Sequence, residues 1–110
     1  MNYEEKISEL DSLIKECERM QLSINENLIW AANDLNTYHD HAGDLEITNQ
    51  KWICFCRNFE TYFEINPDQV FFNEYQKLTK EATRVSQELL SSMCILINNM
   101  KNKLKVEKYK

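Results

Sequence analysis

An apolar stripe at heptad spacing runs from Tyr3 to Phe63, and it constrains the fold more than any other feature of the chain. It passes through Tyr3, Ile7, Leu10, Ile14, Cys17, Gln21, Ile24, Leu28, Ala31, Leu35, Tyr38, Ala42, Leu45, Asn49, Trp52, Cys56, Phe59 and Phe63, with only Gln21 and Asn49 polar. A repeat alternating steps of four and three keeps one narrow seam of a helix facing another helix. Strands alternate with a period of two, so the pattern points to an all-α chain. Glycine and proline occur once each, which leaves little of the turn chemistry that a sandwich or a doubly wound sheet needs.

Two places can interrupt the pattern. Asn66-Pro67-Asp68-Gln69 reads as a helix start, with Asn66 as N-cap, Pro67 in the first helical position and Gln69 completing a capping box. Ala42-Gly43-Asp44 is weaker, because the stripe stays in phase across it and one interior glycine costs only about 1 kcal/mol. The sequence therefore predicts a single domain over residues 1–110, an elongated antiparallel helical hairpin of coiled-coil type. Helix 1 spans about 3–65 with a kink admitted at Gly43, the turn lies at 65–67, and helix 2 spans about 67–108. The second seam starts with Phe71, Tyr75, Leu78, Ala82, Val85 and Leu89. It then changes phase through Met93, Leu96 or Ile97, Met100 and Leu104, in the manner of a stutter. Leu89 to Ile97 is apolar on more than one face, as in a helix with more than one neighbour.

Length then implies an overhang. A helix from 3 to 65 is about 95 Å long and one from 67 to 108 about 60 Å, so the folded-back helix reaches only to about residue 24. The seam before it is left without a partner inside the chain, and an exposed apolar row of that kind marks an interaction surface. Tyr3, Ile7, Leu10, Ile14 and Cys17 are the expected partner-binding residues, with Met93 and Ile97 as a second contact. Replacing Leu10 and Ile14 by Asp is expected to abolish binding and leave the hairpin helical.

Charge and chemistry narrow the function. The net charge is −5. Residues 1–65 carry 13 acidic and 5 basic side chains, and residues 66–110 carry 5 acidic and 8 basic, so an antiparallel fold brings opposite charges together. Overall acidity disfavours nucleic acid as the partner, and the lysines from Lys101 to Lys110 read as a solvated, frayed helix end. His39 and His41 are two apart, as are Cys54 and Cys56, which on a helix points each pair in opposite directions and rules out shared metal or redox chemistry. No phosphate loop or nucleophile–base arrangement is present. The expectation is a protein that is not an enzyme, with no catalytic, cofactor or metal site and no cofactor. The four cysteines lie within helical patterns and are expected to be thiols. No signal peptide or membrane-spanning run is visible, which implies a cytoplasmic protein without membrane insertion, whose export with a cargo would use another route. The aromatic cluster of Trp52, Phe55, Phe59, Tyr62, Phe63, Phe71, Phe72 and Tyr75 is expected to close the end of the hairpin; the alternative is that Phe55 or Phe72 is presented to a partner.

One longer pattern resembles a known family. It runs Phe59-x-x-Tyr62-Phe63, a short polar turn, Phe71-Phe72-Asn73-Glu74, and then Leu78, Thr79 and Glu81 through Gln87-Glu88-Leu89. Across residues 50–95 this resembles the small helical targeting partners of LXG-type toxins in the type VIIb secretion systems of Gram-positive bacteria, which are Esx-like helical hairpins. The resemblance implies a chaperone or targeting factor that binds, with a second small helical protein, the helical N-terminal domain of a toxin. There is no W-x-G turn, since Trp30 precedes Ala31 and Trp52 precedes Ile53, and no Esx-type export signal follows the second helix. The chain would thus bind the toxin while another subunit supplies the signal. Two rival expectations are a homodimeric coiled-coil structural protein pairing its overhangs, and a small acidic helical inhibitor or immunity protein.

Overall fold

A computed structural model describes residues 1–33, 42–81 and 85–108, with side chains described for 1–24, 50–81 and 85–108. Four helices account for nearly all of it: α1 (Tyr3–Asn33), α2 (Ala42–Ile65), α3 (Gln69–Glu81) and α4 (Gln87–Lys108). The all-α class expected from the stripe is therefore observed, with no strand among the described residues.

The helices alternate in direction. Asn66 at the end of α2 reaches Met1, and Asn58 reaches Glu16, so α2 runs antiparallel to α1. Lys101 pairs with Asp11, and Gln21 donates to Ser91, so α4 also runs antiparallel to α1. Lys103 binds Asp68 at 2.7 Å, which sets α3 antiparallel to α4. α1 packs along both α2 and α4, and α3 packs along α4; α3 meets α2 through rings, with Phe59 4.9 Å from Tyr75 and Phe63 5.2 Å from Phe72.

The two long helices of the sequence reading are each divided. A continuous helix from 3 to 65 would hold Met1 and Asn66 about 95 Å apart, whereas they touch, and the whole molecule measures only 57 × 23 × 18 Å. α1 ends at Asn33 and α2, running the other way, begins at Ala42, which places Gly43 in the first turn of α2 instead of at a kink. The stripe misleads there because every helix of a bundle buries its own apolar face, and two faces can share a phase across a connection by coincidence. The second helix divides between Glu81 and Gln87. There the Leu89 N–H donates to Ser86 Oγ at 3.1 Å, which makes Ser86 the N-cap of α4. The seam stays in phase across this break, and the phase change read as a stutter falls within α4, after Leu89.

Residues from all four helices meet in one core. Leu10, Leu13, Cys17, Met20 and Ile24 of α1 face Phe55, Phe59, Tyr62 and Phe63 of α2, Tyr75 of α3, and Leu89, Leu90, Met93, Leu96, Ile97 and Met100 of α4. Leu13 and Met20 lie off the heptad stripe. They are buried because α1 has two neighbours, and a helix between two neighbours buries a wider arc than a coiled-coil seam. The multi-face reading of Leu89 to Ile97 holds for α4, which contacts both α1 and α3, although Ile95 within it stays 62% exposed.

Candidate functional site

The termini of four segments converge at one end of the bundle, and those of α1, α2 and α3 are fixed by local hydrogen bonds. Asn2 caps α1: its Oδ1 accepts the Glu5 N–H at 2.8 Å and its Nδ2 donates to Glu5 Oε1 at 3.1 Å, a reciprocal capping box. Asn66 closes α2, with its N–H and its Nδ2 both donating to the Tyr62 carbonyl. Asp68 caps α3, its Oδ1 accepting the Phe71 N–H at 3.3 Å. The cap is thus Asp68, not Asn66, and Pro67 stands before the helix. Asn66 is held by α2, so the chain needs Pro67 to turn before the next helix can start.

A groove of ≈ 420 Å³ opens where these segments meet. Tyr62, Phe71, Met100 and Leu104 lie beneath it and Met1 and Ile65 border it, while Lys6, Asn66, Asp68, Lys103 and Glu107 make its accessible lining mainly polar. The core supports it from beneath through Phe59 and Phe63, stacked at 5.0 Å, and Phe63 and Tyr75 at 5.7 Å. These rings close the bundle as expected. Phe55 is only 1% exposed and Phe72 is half-buried against the core, so Phe55 is not presented to a partner.

The charged groups of the groove are organised. Burial opposes ionisation of Asp68, but the Lys103 ammonium and the Phe71 N–H together outweigh it and hold the carboxyl below its ordinary value. Its hydrogen bond to Asp68 raises the Lys103 ammonium in turn. Burial, with the Asp68 charge added, pushes the Tyr62 hydroxyl up to about 12, which keeps it protonated. Lys103 also lies 5.4 Å from the Phe71 ring centroid, and Lys108 lies 4.4 Å from that of Tyr3. The lysines read as a solvated end therefore tie α4 to α1 and α3 through Lys101, Lys103 and Lys108.

The partner-binding residues expected from the sequence occupy a different place. Leu10, Cys17, Met93 and Ile97 are fully buried in the core, and Ile14 is half-buried against it. Tyr3 and Ile7 are half-buried on α1. The expected overhang does not exist, because both reversals bring later helices alongside the N-terminal part of α1. The seam finds its partner within the chain. Lys6, Ile65, Asp68 and Leu104 were missed as site residues, since nothing in a heptad count brings positions this far apart to one end. The signals available were Asn2 three residues before Glu5, and the polar Asn66-Pro67-Asp68 turn.

Among the described residues no group of three or more His, Cys, Asp or Glu is placed to hold a metal ion, and no helix is long and apolar enough to cross a membrane. His39 and His41 lie outside the described residues. Comparison with family models, characterised proteins and solved structures gives no match to this chain.

Proposed function

We propose that this chain is a non-enzymatic targeting or chaperone subunit that docks on the helical N-terminal domain of an LXG-type toxin, alongside a second small helical protein, in the cytoplasm before export. The observation that carries the reading is the groove at the convergent end. Its accessible lining is mainly polar, with charges of both signs around a small apolar patch, and it suits a partner helix that meets the charges with its polar side and sets an apolar residue beside Ile65. The resemblance across residues 50–95 supports the choice of partner. The rival homodimer relied on unpaired overhangs, and those seams are occupied here by the chain's own helices.

Co-expression of the tagged chain with the toxin's N-terminal domain tests the proposal. Ile65 is 53% exposed, so Ile65→Asp alters the groove without touching the core. The toxin domain is expected to co-purify with the wild-type chain, and Ile65→Asp combined with Lys6→Glu is expected to weaken binding by about tenfold or more while leaving the thermal midpoint unchanged. Failure to co-purify, or equal binding by the variant, would overturn the reading.

A further inference from the structure

A second groove, of ≈ 580 Å³, lies between the end of α2 and the start of α3. It shares the Pro67-Asp68 ridge with the groove at the convergent end, but its lining differs in kind. The accessible lining is mainly apolar, with Pro67 exposed, Phe72 half-buried, and Phe63 beneath at 5.2 Å from Phe72. Charges of one sign border it. Glu60 and Glu64, exposed and one turn apart on α2, line it together with Asp68, and no lysine or arginine does. Asp68 is already committed to Lys103 and the Phe71 N–H. Glu60 and Glu64 have no ion-pair partner among the described residues. Like charges four residues apart on a helix repel. Glu64 also adds to the negative carbonyl end of α2, whose last turn has no basic side chain. Two carboxylates and a helix end thus leave an unneutralised negative charge beside an apolar surface.

We propose that the α2–α3 groove docks an arginine-bearing helix of a partner protein. One arginine set between Glu60 and Glu64 meets both carboxylates, relieves their repulsion and lays its methylene stem over the apolar lining. Arginine fits better than lysine, because a planar guanidinium forks between two acceptors and also stacks on a ring such as Phe72, whereas an ammonium is a compact, strongly hydrated point charge. Apolar residues one turn to either side of that arginine share its helix face and cover the remainder of the groove. A second copy of this chain is a poor occupant, since two chains of net charge −5 repel. The inference is independent of the toxin reading, which concerns the other groove and its charges of both signs.

The probe is a fluorescent helix-forming peptide with a central arginine and a leucine one turn away on each side, titrated with the full-length chain. Saturable anisotropy is expected, with amide shifts in nuclear magnetic resonance spectra clustered at Glu60, Glu64, Gln69 and Phe72. Citrulline in place of the arginine keeps the shape without the charge, and it should weaken binding by about tenfold or more; lysine in the same place should also bind more weakly. Glu60→Gln with Glu64→Gln should cause a similar loss. That variant removes a repulsion, so an equal or higher thermal midpoint shows that the loss is not unfolding. Glu9→Gln with Glu18→Gln on α1 makes the same change in net charge and should bind like the wild type. No saturable binding, equal binding of the citrulline or lysine peptide, or an equal loss in the α1 variant would overturn the proposal. So would amide shifts centred on Lys6, Ile65 and Leu104, which would place the peptide in the convergent groove.

Discussion

Glu16 sits on the α1 face that meets α2, with one oxygen served and the other not. Its Oε1 accepts a hydrogen bond from Asn58 Nδ2 at 3.4 Å, while Oε2 is buried with no partner among the described residues. Burial raises its carboxyl above the ordinary value; Asn58 and Arg19 oppose the rise and Glu9 adds to it. A carboxyl raised in the folded state binds its proton more tightly there than in the unfolded chain, so its contribution to stability is present below the ordinary value and is lost as pH rises through the folded one. Glu16→Gln keeps the shape and removes the charge. At neutral pH it should unfold at an equal or higher urea midpoint than the wild type, and the decline in stability with rising pH through the carboxyl range should flatten; a lower midpoint at pH 7 would mean that the charge is favourable. Tyr75 shows the opposite condition, a buried polar group that is satisfied. Its hydroxyl donates to the Cys56 carbonyl at 3.3 Å and its ring touches Phe59, Phe63 and Phe72. Tyr75→Phe should cost about 1 kcal/mol, the value of one such bond, read from the shift in urea midpoint with an unchanged slope.

Helices in this chain are bounded by side-chain caps, and the caps explain which boundaries could be read in advance. The turn at residues 65–67 was legible because Pro67 excludes helix at the residue before it, although the capping role falls to Asp68. The boundary before α4 was signalled by Ser86 ahead of Glu88 in the first turn, but an in-line seam from Tyr75 to Leu89 outweighed that signal. A seam reports only that successive turns are apolar on one side, and α3 and α4 each satisfy this while running in opposite directions. Asp68 is the cap with the most to lose, since it holds both the first turn of α3 and Lys103 of α4. Its carboxyl is lowered in the folded state, so its stabilisation is present above the ordinary value of 3.8 and is lost as pH falls through the folded one. Asp68→Ala should cost about 1 kcal/mol at neutral pH and flatten the acid limb of the stability profile, as measured by thermal unfolding between pH 7 and pH 2. An acid limb unchanged from the wild type would remove Asp68 from this role.

The bundle as a whole turns the apolar stripe from a partner surface into a core, and that difference can be measured. Class and helix content were readable from the stripe and from the scarcity of glycine and proline; the docking surface was not, because it depends on where the chain reverses. If α1 carried an unpaired seam, acidic residues at Leu10 and Ile14 would leave folding intact and remove only binding. In the observed packing Leu10 is 0% exposed among α2 and α4 residues and Ile14 lies against the same core. An unpaired carboxylate there must either be desolvated or open the bundle, at a cost that exceeds about 4 kcal/mol. A domain of this size has a total stability of about 5–15 kcal/mol, so Leu10→Asp with Ile14→Asp should be largely unfolded, with loss of helical circular dichroism and of a cooperative urea transition. Ile95→Asp, on the exposed side of α4, provides the control and should unfold like the wild type. The pair of results separates the two architectures. A folded, cooperative double variant would return the seam to the surface, whereas collapse of the double variant beside a stable Ile95→Asp places α1 inside a four-helix core and directs the search for partners to the convergent end.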